Sequence, residues 1–221
     1  MYEFFIEMPP VVFVTGIGTD VGKSYATGWI ARELLKYTPE RKVITQKLIQ
    51  TGNQDMSEDI EVHRKIMGVG LQPRDLDHTT APLILSYPCS PDLAEIIDGV
   101  VLDYDTSAKS TETLSREFDH VLIEGAGGLM VPLKRRYLTV DYIADHNLPV
   151  IIVTNGQLGS VNHTLLTLES LKNRGIRVYG VVYNPYFDKD KTISGHTRLY
   201  IKEWLEEKMP DTLYVEMPDT L

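Results

Sequence analysis

Short apolar runs rich in β-branched residues alternate along this chain with longer stretches whose apolar positions recur at helical spacing. Val11–Thr15, Lys42–Lys47, His120–Glu124, Pro149–Thr154 and Val178–Tyr183 read as strands. Between them, Tyr25–Lys36, Asp59–Met67, Thr113–Phe118, Tyr142–Asp145 and Val161–Asn173 read as helices, and Ile201–Lys208 follows the last strand. The runs Val121-Leu122-Ile123 and Val150-Ile151-Ile152-Val153 lack the alternation of a half-exposed strand, which predicts strands covered on both faces. The pattern therefore specifies an α/β fold with a doubly wound, mainly parallel sheet and helices on both faces. In such sheets ligands gather beyond the carboxyl ends of the strands, so chemistry is expected just after Thr15, Lys47, Glu124, Thr154 and Tyr183. The segment from Pro73 to Asp105 has turn residues, prolines on either side of Cys89 and no long period, and predicts loop and short helix.

The 221 residues suffice for one well-formed core, and no Pro/Gly/Ser-rich linker divides them, so a single domain over residues 1–221 is expected. With 31 acidic and 22 basic residues the net charge is −9, and the basic residues are dispersed apart from Lys134-Arg135-Arg136. That balance argues against a nucleic-acid partner. The longest apolar runs are strand-sized, the lone Cys89 cannot form an internal disulfide, and no basic-plus-apolar leader is seen; a cytoplasmic protein without a membrane partner is expected. Cys89, with no His nearby in sequence, reads as a buried or loop thiol.

The first strand feeds Gly16-Ile17-Gly18-Thr19-Asp20-Val21-Gly22-Lys23-Ser24, and Tyr25 continues into a helix. Glycines let successive backbone N–H groups converge on an anion at the positive end of that helix; Lys23 can reach terminal phosphates, and the Ser24 hydroxyl can ligate Mg²⁺. Five residues separate Gly16 from Gly22 where the common P-loop has four, so this is a variant of that motif.

Lys47 stands at the end of the second strand, with Thr51 and Gly52 four and five residues on; taken alone it reads as a solvated strand-end lysine, and beside a phosphate-binding turn as a cation that stabilises a transferring phosphoryl group. The third strand delivers Glu124 into Gly125-Ala126-Gly127-Gly128: a carboxylate suited to Mg²⁺ followed by exposed N–H groups suited to an anion. Asp59 lies in Ser57-Glu58-Asp59-Ile60, where capping and the helix dipole already account for the local pattern. Asn155 to His163 follows a buried strand and opens a helix whose N–H groups can receive a carboxylate, while His163 alone reads as a packing or surface histidine.

Together these motifs resemble the dethiobiotin synthetases, ATP-dependent enzymes of biotin synthesis with a P-loop NTPase fold. The resemblance spans about residues 11 to 218. It rests on Thr19-Asp20-Val21-Gly22-Lys23-Ser24, Lys47 with Thr51-Gly52, Asp59, Ser90-Pro91, Glu124-Gly125-Ala126-Gly127-Gly128, Gln157-Leu158-Gly159-Ser160-Val161-Asn162-His163 and Asn184. It implies a ligase that takes 7,8-diaminononanoate and CO₂ as substrates and ATP with Mg²⁺ as cofactors, through a carbamate and a carbamic-phosphoric anhydride. It further implies catalytic roles for Lys23 and Lys47; nucleotide contacts from Gly18 to Tyr25, from Glu124, Gly125, Ala126 and Gly127, and from Asn184; and metal ligation by Ser24, Asp59 and Glu124. Thr51 would contact the diamine or its carbamate, and Gly159, Ser160 and Asn162 of a second subunit would bind the substrate carboxylate across a homodimer interface. Ile17 stands where this family usually has Thr, Leu48 where Pro is common, and Val215-Glu216-Met217-Pro218 matches a turn of the family that normally begins with Gly. A side chain at 215 is expected to alter how closely the backbone approaches adenine.

A partition-type ATPase switch would share the sheet and the phosphate site. Such proteins usually carry an extra lysine early in the P-loop, where Ile17 and Gly18 stand here, and the cobyrinate-type amidating synthetases need a further glutamine-hydrolysing domain.

Overall fold

The structure, a computed structural model, describes residues 2–219. Six strands form the central sheet: β1 (Val11–Gly16), β2 (Val43–Lys47), β3 (His120–Gly128), β4 (Val150–Asn155), β5 (Val178–Asn184) and β6 (Leu213–Glu216). Their order is β6-β5-β4-β1-β3-β2 and every pairing is parallel. The five expected strands are all present, each within a residue or so of its predicted start. The sixth, β6, carries only four residues on the sheet edge beside β5, too few for a periodic signal.

Eight helices accompany the strands among the described residues: α1 (Tyr2–Ile6), α2 (Lys23–Tyr37), α3 (Glu58–Met67), α4 (Pro91–Asp98), α5 (Tyr104–Glu117), α6 (Thr139–Asp145), α7 (Ser160–Asn173) and α8 (Lys191–Lys208); short helical turns lie at Pro73–Leu76 and Pro185–Phe187. Alternate residues of the strands point to opposite faces. Phe13, Ile44, Val121, Ile123, Ile152 and Val181 meet Leu114, Tyr142, Leu168, Leu171, Ile201 and Leu205 of α5 to α8. Val12, Val14, Val43, Leu122, Ile151 and Val182 meet Phe4, Phe5, Trp29, Ile30, Leu34 and Met67 of α1 to α3. The sheet is thus buried on both sides, as its unbroken apolar runs require.

Two helices extend well beyond their predicted spans. The polar first half of α5 is capped by the Asp103 side chain, which accepts from the Asp105 N–H at 3.0 Å, and α8 begins at an Asp190 cap that accepts from Thr192 and Ile193. Capping holds these turns where hydrophobic period gave no sign of them. Between Pro73 and Asp105 lie the predicted loop and short helices, plus Ile84–Leu85, which pairs in parallel with Gln50–Thr51. No helix among the described residues is long and apolar enough to cross a membrane.

Candidate active site

Helix α2, after β1, packs on one face of the sheet and α6, after β3, on the other, so a crevice opens between neighbouring strands at their carboxyl ends. A cavity of about 990 Å³ occupies it. In sheet order it meets Asn184 at the end of β5, the Thr19–Ser24 turn after β1, Glu124, Ala126 and Gly127 at the end of β3, and Lys47 at the end of β2 with Thr51 beyond it.

The turn's backbone is shaped for an anion. Asp20 has φ 58° and Gly22, the N-cap of α2, has φ 89°; a Cβ on Gly22 would lie 2.2 Å from Asn184 Nδ2. Position 22 therefore excludes any side chain, both by conformation and by space. Lys23 folds back over the turn, its Nζ donating to Gly18 O at 3.0 Å. Burial pushes its pKa down to about 8, with the Glu124 carboxylate working against that and the Lys47 ammonium adding to it. A buried cation held this way gains from any anion placed in the turn.

Next to it, Ser24 Oγ lies 2.7 Å from Asp59 Oδ1 and 3.0 Å from Glu124 Oε1, and Lys47 Nζ pairs with Asp59 and donates to Glu124 Oε1 at 2.8 Å and to Gly125 O at 3.2 Å. Lys47 and Glu124 are both buried. Burial would raise the Glu124 carboxyl, but the Lys47 ammonium and the His63 hydrogen bond hold it well below the usual carboxylate range. Burial would likewise lower Lys47, and Glu124 and Asp59 together reverse this and raise it. Both groups are therefore held charged, a fixed field at the cavity wall.

Among the described residues no cluster of three or more His, Cys, Asp or Glu is arranged as a metal cage. What converges instead is two carboxylates and a hydroxyl, all hard oxygen donors, from three segments. That set suits Mg²⁺, which keeps several coordination positions for water and phosphate oxygens.

Of the residues singled out from sequence, Thr19, Asp20, Gly22, Lys23, Ser24, Tyr25, Lys47, Thr51, Asp59, Glu124, Ala126, Gly127 and Asn184 line the cavity. Gly18, Val21 and Gly125 stand just behind it, each through its carbonyl: these accept from Lys23, Asn184 Nδ2 at 3.1 Å and Lys47 respectively. The Asn184 side-chain oxygen accepts from the Tyr186 N–H, leaving one N–H and one lone pair of the amide for a ligand. Gly159, Ser160 and Asn162 do not line the cavity. Gly159 and Asn162 are exposed, while Ser160 is buried and donates its hydroxyl to Asn155 Oδ1 at 2.6 Å.

The expectation for Val215 is corrected. Its side chain is buried with Val182 and Phe4 in the core under the sheet, and the wall near Asn184 is built by Met217, Pro218 and Asp219. Residue 215 falls inside β6, whose register with β5 turns that side chain away from the cavity. Tyr186, Phe187 and the Pro88–Pro91 loop also line the cavity, and His63 contacts Glu124 from behind. Ser90-Pro91 was among the motifs of the resemblance, without a role; Tyr186, Phe187 and His63 were not marked, although Asp59 and His63 stand four residues apart on α3 and so share one of its faces.

A family model described as an AAA domain matches residues 11–203. The chain is similar to the ATP-dependent dethiobiotin synthetase BioD 2 of Pasteurella multocida, 43% identical over 210 residues that cover 95% of this chain and 98% of the relative. It is 45% identical over 188 residues to the ATP-dependent dethiobiotin synthetase BioD of Chlorobaculum tepidum, covering 85% of this chain and 78% of that one. Among solved structures, a putative plasmid partition protein from Borrelia burgdorferi B31 bound to AMPPNP superposes with a TM-score of 0.56 at 16% identity, over 96% of this chain and 89% of that one. A ParA family ATPase from Chlorobium tepidum gives 0.53 at 16% identity, over 96% and 85%. At that identity the structural likeness establishes the parallel-sheet P-loop fold, and the sequence likeness establishes the family: the chain belongs to the ATP-dependent dethiobiotin synthetases.

Proposed function

We propose that the protein joins CO₂ to 7,8-diaminononanoate and closes the ureido ring of dethiobiotin, converting ATP to ADP and phosphate. One amine takes up CO₂ as a carbamate with loss of a proton. A carbamate oxygen then takes the γ-phosphoryl group of ATP, releasing ADP. The second amine attacks the carbamate carbon, the C–O bond to phosphate breaks, and a proton leaves with ring closure. Oxygen on a carbamate is a poor leaving group until phosphorylated, so the enzyme must bring two anions together and offset both charges.

The observation that carries this reading is the buried Lys47, set against Glu124 and Asp59, the same two carboxylates that Ser24 of the phosphate-binding turn contacts. A switch that only binds and releases nucleotide needs the turn and its lysine; a second charged lysine beside the end of the turn suits a second anion held next to the terminal phosphate. Lys23 receives the phosphates, and Lys47 stabilises charge between carbamate and γ-phosphoryl group. Ser24, Asp59 and Glu124 would hold Mg²⁺, whose chemistry there is to neutralise phosphate oxygens. Gly125, Ala126 and Gly127 cradle the carbamate side, Thr51 contacts the diamine, and Asn184 with Tyr186 and Phe187 receives the adenine.

The same reading makes the active species a homodimer in which Gly159, Ser160 and Asn162 of a second copy take the substrate carboxylate. Leu158 is 87% exposed and Leu166 62%, apolar surface beside that helix start which a second copy would cover. Light scattering alongside turnover tests this: a monomer with full activity contradicts it. For the activity itself, phosphate release is compared with diamine plus bicarbonate and with ATP alone. Release that depends on the diamine and yields dethiobiotin supports the ligase; equal release without diamine favours the switch.

A further inference from the structure

His63 is fully buried on α3, and its two ring nitrogens have different partners: Nε2 lies 2.6 Å from Glu124 Oε2 and Nδ1 lies 2.9 Å from Thr45 Oγ1. The next residue, Arg64, is also buried and donates to the same Thr45 oxygen at 2.8 Å, while its other guanidinium nitrogens bind both oxygens of the buried Asp75 at 2.8 Å. The charged groups at the two ends of this chain set the hydrogen-bond directions. A guanidinium only donates, so Thr45 Oγ1 accepts from Arg64 and keeps its own proton to offer to His63 Nδ1. The ionised Glu124 carboxylate only accepts, so the ring nitrogen facing it, Nε2, carries an N–H.

The two oxygens of Glu124 are thereby divided: Oε2 is held by His63, and Oε1 takes Ser24 and Lys47 on the cavity side. The terminal torsion of a glutamate is soft and roughly two-fold, so a carboxylate bonded through one oxygen alone can swing. A second bond to a rigid ring fixes its plane. The helix that bears the ring is itself pressed close to α2, where a Cβ on Gly28 would lie 3.2 Å from the His63 Cα.

We propose that His63 is a positioning residue for the reaction: locked by Thr45 and Arg64 as the Nε2–H tautomer, it aims Glu124 Oε1 at the phosphate side of the cavity. One helix thus supplies Asp59 directly and Glu124 through an imidazole one turn further on. The inference rests on the reading of Glu124 as a ligand of the nucleotide-bound cation.

The test compares the wild-type protein with His63→Leu, His63→Gln, His63→Asn and Glu124→Gln. In each, Mn²⁺ affinity for the ADP complex is read by electron paramagnetic resonance, with the Mg²⁺ half-saturation of turnover and the thermal melt beside it. Loss of an outer partner of a metal ligand weakens affinity by about tenfold or more, which is the shift expected for His63→Leu in both cation readings. His63→Gln, whose amide nitrogen reaches the Nε2 position, restores most of it, and His63→Asn, whose amide falls short, does not. Should the Leu variant fail to fold, the Gln and Asn pair decides alone: equal cation affinities overturn the proposal. A Leu variant with wild-type cation affinity and only a lowered melt also overturns it, while weakened binding in Glu124→Gln leaves the ligand reading standing. Wild-type cation affinity in Glu124→Gln removes that reading and the inference with it.

Discussion

Lys47 and Glu124 are direct neighbours in the register of β2 and β3, and their side chains turn the same way at the strand ends, so that Lys47 Nζ donates to Glu124 Oε1 at 2.8 Å. Two strands that pair in parallel end together at one rim. A cation from one and an anion from the other meet there as a consequence of topology. Both are buried and both stay ionised, which places a fixed field beside a turn built for phosphate.

Lys23→Ala is expected to abolish ATP-dependent turnover, since the turn's N–H groups remain but the point charge meeting the terminal phosphates is gone. The fold should persist: burial already disfavours this ammonium, and among the described residues it makes one hydrogen bond, to Gly18 O. Steady-state kinetics and a thermal melt check both halves, with Tm expected to hold within about 3 °C, or roughly 1 kcal/mol for a chain of this size.

Glu124→Gln and Asp59→Asn should each raise the Mg²⁺ concentration needed for half-maximal turnover, because each replaces an anionic oxygen donor by a neutral one. Asp59 is the more exposed of the two and is also a partner of Lys47, so its variant should in addition free that lysine from one counter-ion. Mg²⁺ titrations of turnover measure the shift, and an unshifted optimum in both variants contradicts the ligand set.

His120, buried at the start of β3, gives a pH dependence of stability. Arg41 donates to its Nε2 at 3.0 Å, so Nδ1 carries the proton and donates to Pro9 O. Burial lowers its pKa from the usual 6.5, opposed by the Pro9 contact and aided by the Arg41 charge. Between the lowered value and 6.5 the unfolded chain binds the extra proton and the folded one does not. Stability is therefore fully present above pH 6.5 and lost as pH falls through the folded value. Thermal melts from about pH 7 down to roughly pH 5 should decline less steeply in His120→Gln, whose amide serves both partners without titrating.

Much of this site could be read in the sequence because its parts have sharp local signatures. A glycine-rich turn ending in Gly22-Lys23-Ser24 and a carboxylate ending an unbroken apolar strand are visible without any partner. His63 and Arg64 were not legible: on an amphipathic helix they look like any polar pair, and only the packing of α3 under β2 brings them to Thr45 and Glu124. Met217 and Pro218 belong to the turn that the resemblance marked beside adenine, while Asp219 was not marked and the start of the turn was misplaced, since β6 has four residues and its place beside β5 depends on tertiary contact. Helix α1 is shorter still. Its Phe4 and Phe5 are fixed by Tyr179 and Trp29, more than twenty residues away in each case.

The most direct measurement is kcat for dethiobiotin formation in Lys47→Gln, taken together with the nucleotide Kd of the same variant. Gln keeps most of the side chain's length and hydrogen-bonding ability but cannot offset charge developing between carbamate and γ-phosphoryl group, so kcat is expected to fall by about 10²-fold or more. The nucleotide Kd should change little, because Lys23 and the turn's N–H groups are untouched. An unaltered kcat would contradict the account at its centre.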